Sequence, residues 1–218
     1  GKTDGESDRA YGQRMANALE TEILRLGAHK VMAFLAEPVV GATLGAVAAE
    51  AGYFTRIREI CDHYGVLLIL DEVMCGMGRT GSLFACDHDQ VRPDIIAIAK
   101  GLGAGYQPVG AMLCSKDIYE AIAAGSGFFQ HGHTYLAHPV ACAAAHAVLS
   151  KIIASGLPSR ATIMGNKLLQ SLQSTFGQHP FIGDIRGRGL FIGMEFVADR
   201  TQKTPFDPTF GLHRKIKA

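Results

Sequence analysis

The sequence has no tryptophan, no excess of either charge and no apolar run long enough to cross a membrane. Its 21 Lys and Arg nearly balance 20 Asp and Glu, for a net charge of +1. This balance gives no electrostatic reason to expect nucleic acid or an acidic membrane surface as a partner. With 48% apolar and 19% charged residues, the 218-residue chain is expected to be a soluble globular protein with a sizeable core.

Cysteine is scarce and is not arranged in pairs. The five cysteines are odd in number and form no C-x-x-C motif, a pattern that favours reduced thiols and predicts a cytoplasmic location. Three histidines lie close together, but no neighbouring Cys or carboxylate completes a ligand set, so no metal is expected. The cysteines are Cys61, Cys75, Cys86, Cys114 and Cys142, and the histidines are His131, His133 and His138.

Strand and helix patterns alternate along the chain, which predicts an α/β fold with a mostly parallel sheet and helices on both faces. We assign residues 1–150 to a large domain and residues 151–218 to the start of a smaller α+β domain. The patterns predict helices over 9–26, 52–64, 140–154 and 160–176, and strands over 31–36, 66–73, 95–99, 110–114 and 190–197. Gly65 is expected to end the second helix, and Ser115 is expected to cap a further helix over the apolar residues that follow it.

Two of the apolar strands end on a charge, Asp71 after residues 66–70 and Lys100 after residues 95–99. Ligands bind at the carboxyl ends of strands in open α/β sheets, so both side chains are expected at one edge. A strand-terminal charge usually only marks contact with solvent. Here Val73 is expected to share a strand face with Asp71, and a glycine run follows Lys100 and leaves room for a ligand. An amine that forms a Schiff base, beside a carboxylate that holds a pyridinium nitrogen, is the pair that pyridoxal phosphate requires.

The segment Gly76-x-Gly78-x-x-Gly81 also matches the glycine pattern of dinucleotide-binding folds. That motif requires a helix to begin at once, so that its N-terminus meets the pyrophosphate. Residues 82–90 are short and polar and do not predict a helix. A nicotinamide-dependent dehydrogenase is therefore a disfavoured alternative, and the segment is interpreted as a loop with tightly packed backbone.

Several further motifs follow one another in a fixed order: Glu37-Pro38-Val39, Asp71-Glu72-Val73, Gly78-Arg79-Thr80-Gly81, Arg92-Pro93-Asp94, Ala99-Lys100-Gly101, Gly132-His133-Thr134-Tyr135 and His138-Pro139-Val140-Ala141. In this order and spacing, from about residue 31 to 197, the chain resembles the class III pyridoxal-phosphate-dependent aminotransferases. The resemblance implies the large domain of pyridoxal-phosphate fold type I, pyridoxal phosphate as the cofactor, and a sequence that corresponds to the central portion of a longer enzyme.

The resemblance also implies roles for single residues. Lys100 would form the Schiff base and carry the proton, Asp71 would hold the ring nitrogen and Val73 would pack on the ring. Thr134 would donate to the cofactor phosphate of the neighbouring subunit, which implies a homodimer with shared active sites. A threonine that only satisfies its own turn is the alternative. Glu37 would lie on the substrate side, with a purely structural role equally open.

One departure from the family pattern, at Met74, and the two arginines Arg186 and Arg188 bear on the expected activity. Met74 stands at a position where several amino-acid-specific members of the family have glutamine. The methionine is more similar to the ω-amine and β-alanine–pyruvate branch of the family. Arg186 and Arg188 invite a carboxylate-binding interpretation, but the family's carboxylate-binding arginine comes later than Ala218, so both are expected to be structural. The sequence thus predicts transamination of an amine or ω-amino acid with a keto acid such as pyruvate. An aminomutase or racemase of the same fold, or a catalytically incompetent fragment that acts as a binding module, remains an alternative.

Overall fold

The computed structural model describes residues 1–217, which fold into helices packed around one main sheet and two small ones. The helices are α1 (Asp8–Leu26), α2 (Tyr53–Tyr64), α3 (Lys116–Ala124), α4 (Pro139–Ala154), α5 (Leu157–Phe176) and α6 (Leu212–Lys217). The strands are β1 (Ala33–Ala36), β2 (Val39–Val40), β3 (Val47–Ala48), β4 (Leu67–Asp71), β5 (Ile95–Ile98), β6 (Ala111–Cys114), β7 (Ile182–Arg188) and β8 (Phe191–Phe196).

The main sheet has the strand order β1-β4-β5-β6. Strands β1, β4 and β5 are parallel, and β6 pairs with β5 in the antiparallel direction. The α/β fold with a mostly parallel sheet is therefore confirmed. The register pairs Asp71 of β4 with Ala97 of β5, so the ends of these two strands lie side by side.

The core lies between this sheet and the helices α1 and α2. Leu68 and Leu70 of β4 are fully buried there against Phe54 and Ile57. Side chains alternate between the two faces of a strand, so Asp71 lies on the opposite face from Leu70. That second face is less buried: on β1, Leu35 is 64% exposed. Asp71 thus reaches the more open side of the sheet, where a ligand has access.

Strand β4 ends earlier than the sequence pattern predicts. The apolar run suggests a strand through Val73, but β4 stops at Asp71 and residues 73–80 form turns. The Asp71 carboxylate is the reason, because its Oδ1 accepts a hydrogen bond from the Val73 backbone N–H at 2.9 Å. An aspartate that bonds two residues ahead favours a turn over continued extension. Val73 therefore lies outside the strand, so strand alternation does not determine the direction of its side chain, and its predicted contact with the ring stays a prediction.

The helix ends follow the signals in the sequence. Gly65 ends α2 with a left-handed φ of 66°, and the Ser115 hydroxyl accepts from the Ile118 N–H at 3.4 Å at the start of α3. Helix α5 begins three residues before the predicted position, at Leu157, with Pro158 in its first turn. Proline there needs no hydrogen-bond acceptor for its nitrogen, so it starts a helix rather than breaking one.

The later part of the chain forms the antiparallel hairpin β7–β8, which packs against α5. Helix α4 runs continuously through residues 150 and 151, so the domain division proposed there stays a prediction. Within residues 1–217, no single helix is long and apolar enough to cross a membrane; α4 and α5 meet that criterion only as a pair bent by 66°. No group of three or more metal-ligating side chains occurs in the same residues.

Candidate active site

Lys100 occupies a strained backbone position directly after β5. Its φ is 41°, in the left-handed region that residues with a side chain rarely adopt. The carbonyl of Lys100 accepts hydrogen bonds from the N–H groups of Gly103 and Ala104 at 3.2 and 3.0 Å, which holds the turn closed. Such strain costs about 1–3 kcal/mol and is concentrated at functional sites. The turn therefore fixes where the exposed amine emerges from the sheet.

Two of the glycines after Lys100 are needed for packing. A Cβ on Gly101 would come within 2.8 Å of the Met77 Cβ, and a Cβ on Gly103 would lie 2.6 Å from the Gln107 carbonyl oxygen. These two glycines admit neighbouring parts of the protein that pack against the Lys100 turn. Gly105 has open space around it, and Gly101 and Gly105 line cavities beside Lys100. The expectation that the glycine run leaves room for a ligand stays a prediction.

Lys100 lines two adjoining cavities of about 650 Å³ each. The first extends past Met74 to Phe191 of the β7–β8 hairpin, and two arginines, Arg79 and Arg160, contribute charges. Its walls are otherwise mostly apolar, as in pockets that bind small organic molecules. Asp71 and Val73 line neither cavity. The structure thus places Lys100 and Met74 together, and places Asp71 on the neighbouring strand end.

The Asp71 carboxylate fits a ligand nitrogen. Its Oδ1 is held by the Val73 N–H, and its Oδ2 receives no hydrogen bond from residues 1–217. The side chain is half-buried, so it is oriented by the backbone yet keeps one free acceptor. Asp71 thus offers a carboxylate with a fixed orientation and a free oxygen, and the neighbouring strand leads to the amine of Lys100. A carboxylate for the ring nitrogen and an amine for the aldehyde are the two groups that a pyridoxal ring requires.

Glu72 is a residue of the site that sequence reasoning missed. It is fully buried, and its two carboxylate oxygens accept hydrogen bonds from the N–H groups of Ala85 and Cys86 at 2.7 and 2.8 Å. These bonds fasten the end of β4 to the loop that follows the turns. The signal was present, because a second acid directly after a buried strand must find partners when the chain turns inward.

Burial and the Glu72 charge also affect two thiols. Burial raises the pKa of Cys75 to about 12, with the Glu72 carboxylate as the second cause. The pKa of Cys86 is raised for the same two reasons. Both side chains are thus uncharged small apolar groups in the packing behind the site, as expected for inert buried cysteines.

The glycines of the 76–81 segment make room for tight packing, as predicted. A Cβ on Gly76 would lie 2.8 Å from the Glu72 carbonyl oxygen, and one on Gly81 would lie 2.3 Å from the Thr162 hydroxyl. The segment is followed by a short 3-10 turn (Ala85–Asp89), not by an α-helix. The geometry required for dinucleotide binding is therefore absent from this segment.

Glu37 supports a loop rather than facing an open cavity. Its Oε2 accepts a hydrogen bond from the Gly41 N–H at 2.9 Å, at the start of residues 41–46, which we call the 41–46 loop. Gly41 lies against Met74 and Phe191, which both line the first Lys100 cavity. The substrate-side role of Glu37 stays a prediction, and its observed contact holds the loop that borders the cavity.

Thr134 lies in an exposed turn, and every residue from 125 to 138 is exposed. The turn is closed by a hydrogen bond from the Leu136 N–H to the His133 carbonyl at 2.9 Å. His133 and Tyr135 line a third cavity with Gln107, a residue that also lines the second Lys100 cavity. Thr134 is absent from the walls of both cavities, so its predicted contact with a neighbouring subunit stays a prediction.

The two arginines of β7 make different contacts. Arg186 forms hydrogen bonds with two carboxylates and with two carbonyls of the 41–46 loop. The Arg188 guanidinium lies 3.8 Å from the Asp89 carboxylate, and both facing atoms are buried without a hydrogen bond. Burial raises the pKa of Asp89, and the nearby Arg188 charge opposes that rise. Arg186 thus binds other parts of the chain and Arg188 faces a buried carboxylate, and the purely structural role expected for both stays a prediction.

Solved structures of transaminases have the same fold as this chain. The chain superposes on a thermostable (S)-enantioselective omega-transaminase from Thermomicrobium roseum with a TM-score of 0.93 and 41% identity, covering 98% of this chain and 47% of that one. It superposes on an amine transaminase from an uncultivated Pseudomonas species, in its PLP-bound form, with a TM-score of 0.89 and 42% identity, covering 94% and 47%.

Sequence comparison gives the family. An aminotransferase of Gibberella zeae is 46% identical over 216 residues, which cover 99% of this chain and 42% of that protein. The chain therefore spans less than half the length of this relative. The family model of class III aminotransferases matches residues 2–214. This chain belongs to the class III aminotransferase family.

Proposed function

We propose that this chain is the cofactor-binding portion of a transaminase that moves an amino group from an amine or ω-amino acid to a keto acid such as pyruvate. One observation carries the proposal: Lys100 emerges from a strained turn at the end of β5, beside the β4 end that presents Asp71, and opens onto a largely apolar cavity. The exposed Lys203 also has a left-handed backbone, and Lys100 differs from it by lying beside the Asp71 strand end and lining a cavity.

The family and the PLP-bound Pseudomonas neighbour indicate pyridoxal phosphate as the cofactor. When bound, this group acts as an electron sink at the carbon that carries the amine. Asp71 would hold the ring nitrogen with its free Oδ2, which keeps that nitrogen protonated. Val73 would pack on the ring, positioned by the hydrogen bond that its N–H donates to Asp71.

Lys100 has two tasks in this proposal. Its amine would hold the cofactor and, once the substrate has taken its place, would carry a proton between the substrate carbon and the cofactor. Both tasks need an amine that stays near one point while it exchanges partners. The closed turn at residues 100–104 fixes the stem of the side chain, and no ion pair within residues 1–217 engages the Lys100 amine.

An amine or ω-amino acid donor is favoured by the walls of the first cavity. Met74, Met77 and Phe191 give it an apolar lining close to Lys100. Such a lining binds a hydrocarbon chain or ring without requiring a carboxylate beside the amine. The two solved relatives described above are named as omega- and amine transaminases, which supports the same substrate class.

We extend the proposal to a cytoplasmic homodimer in which Thr134 reaches the cofactor phosphate of the neighbouring subunit. The support is the exposure of residues 125–138, which include Phe128, Phe129, Tyr135 and Leu136, all more than half exposed. Apolar side chains concentrated on one exposed segment are typical of an interface.

The test uses the absorption of protein-bound pyridoxal phosphate. A full-length protein carrying this sequence is expected to show the visible band of the lysine-bound cofactor. Lys100→Ala should abolish that band, whereas Lys116→Ala, at an exposed lysine paired with Glu120, should leave it unchanged. An unchanged spectrum in Lys100→Ala would refute the assignment.

The reaction is tested separately with amine donors and pyruvate. Stoichiometric formation of a keto or aldehyde product from the donor, with alanine from pyruvate, is the expected result. An isomerised amino acid without net amino transfer would instead identify an aminomutase or racemase. The same assay on the 218-residue chain alone shows whether these residues suffice for turnover or act only as a binding module.

A further inference from the structure

Arg186 of β7 makes contacts that a surface ion pair does not need. Its Nε donates to the Gly45 carbonyl at 2.9 Å and its Nη2 donates to the Leu44 carbonyl at 2.7 Å. Its Nη1 donates to the carboxylates of Asp184 and Glu195 at 2.8 and 2.7 Å. The two acids fix the guanidinium on the hairpin, and the other two nitrogens hold the backbone of the 41–46 loop.

The hairpin and the 41–46 loop are packed too closely for either to move alone. A Cβ on Gly193 of β8 would lie 2.3 Å from the Gly45 carbonyl oxygen. Gly45 itself has a φ of +73°, and its N–H donates to the Gly41 carbonyl at 2.8 Å, so the two ends of the loop are tied together. A displacement of the carbonyls that Arg186 binds is therefore passed on to Gly41.

Gly41 borders the Lys100 cavity. A Cβ at this position would lie 2.5 Å from the Met74 sulfur and 3.1 Å from the Phe191 ring. Met74 and Phe191 both line the cavity that Lys100 opens onto. The contacts thus run without a gap from Arg186 through the loop to two apolar side chains in the wall of the Lys100 cavity.

We infer that Arg186 is a positioning residue for substrate binding: it holds the 41–46 loop so that Gly41 keeps Met74 and Phe191 in place as the apolar wall of the Lys100 cavity. The inference deepens the proposed function and rests on it for the location of the substrate. A purely structural Arg186 would contribute to folding stability and leave substrate affinity unaffected.

The experiment compares Arg186→Gln, Arg186→Lys and Arg56→Gln. Arg56 is a matched control because its guanidinium also joins separate elements, bonding to Glu20 at 2.7 Å, and is 29% exposed against 22% for Arg186. It lies between α1 and α2, away from the cavity. All variants are first compared with the wild type by thermal unfolding, so that losses of stability are known before the other measurements are interpreted.

Two measurements follow. Hydrogen exchange of the amides of residues 41–46, which needs no turnover, should become faster in Arg186→Gln, should be intermediate in Arg186→Lys and should be unchanged in Arg56→Gln. In the holoenzyme, Arg186→Gln should raise the KM for the amine donor about tenfold with a much smaller change in kcat, because it weakens positioning rather than the chemical step. The lysine variant should recover part of this loss, because its single ammonium nitrogen can still donate to a carbonyl of the 41–46 loop.

Unchanged exchange in the loop, or the same increase in Arg56→Gln, would overturn the inference. So would a loop that exchanges faster while the KM stays at the wild-type value. A wild type that lacks both the cofactor band and turnover refutes the proposed function instead. In that case the exchange measurement alone still decides whether Arg186 holds the loop.

Discussion

The buried carboxylate of Glu72 gives the sharpest test of how the candidate site is held. Glu72 has no exposed surface and fastens the end of β4 to the loop at Ala85 and Cys86. Glu72→Gln keeps the size and shape of the side chain but replaces one carboxylate oxygen by an NH2 group. Whichever way the amide turns, one backbone N–H then faces a second donor.

The expected cost follows from these two bonds. A hydrogen bond to a charged group contributes about 1.5–3 kcal/mol, and a buried donor left unpaired costs about 1–3 kcal/mol. The amide weakens one bond by removing the charge and abolishes the other, so Glu72→Gln should lower the free energy of unfolding by about 2–4 kcal/mol. Domains are typically stable by about 5–15 kcal/mol, so such a loss is readily measured.

The measurement is urea unfolding followed by circular dichroism, with Glu59→Gln as the control. Glu59 has a side chain 60% exposed and pairs with Arg56 at 3.2 Å on the surface of α2. Exposed ion pairs contribute below about 1 kcal/mol, so this control should be nearly neutral. If Glu72→Gln costs no more than Glu59→Gln at equal slopes of the unfolding curves, the Glu72 bonds do not hold the strand end.

Three further results are expected. Gly189 and Gly156 share a φ of +58°, but a Cβ on Gly189 would lie 2.6 Å from the backbone of Thr80, whereas Gly156 has open space around it. In urea unfolding, Gly189→Ala should therefore lower the free energy of unfolding by about 1–3 kcal/mol more than Gly156→Ala. Burial raises the pKa of Cys75 from 9.0 to about 12, so the thiol ionises at lower pH in the unfolded chain than in the folded one. As the pH rises through this range, Cys75 should therefore lower the free energy of unfolding by up to about 1.4 kcal/mol per pH unit. Unfolding curves recorded at several pH values should show a smaller slope in Cys75→Ala. In the native chain, iodoacetamide should modify the exposed Cys114 and Cys142 and spare Cys75, as mass spectrometry would show; modification of Cys75 before unfolding would contradict its burial.

Much of the arrangement could be predicted from the sequence because it depends on local pattern. Continuous apolar runs identify buried parallel strands, and parallel strands place their last residues at one edge. That was sufficient to bring Asp71 and Lys100 to neighbouring strand ends. The glycine and serine signals at Gly65 and Ser115 gave helix boundaries to within a residue, because capping depends on adjacent residues.

The remainder depends on contacts between distant parts of the chain. The glycines after Lys100 were interpreted as space for a ligand, and only the fold shows that Met77 fills the space at Gly101. The hydrogen bonds from Arg186 to the 41–46 loop connect positions that are separated by 141 and 142 residues in the sequence, and no periodicity reveals such contacts. The turn at Val73 was missed for another reason: the hydrogen bond that the Val73 N–H donates to the Asp71 carboxylate outweighed the strand tendency of a β-branched residue.

The most informative property of the site is a contact that does not form. An acid and an amine on neighbouring strand ends would be expected to pair, yet residues 1–217 contain no ion pair between Asp71 and Lys100 within 4.0 Å. The backbone holds each residue separately, Asp71 through the Val73 N–H and Lys100 through the N–H groups of Gly103 and Ala104. A pair that served folding alone would gain by mutual contact. Two groups that the backbone holds separately, each with an unpaired polar atom, instead agree with the proposed function, which assigns each of them its own contact with the cofactor.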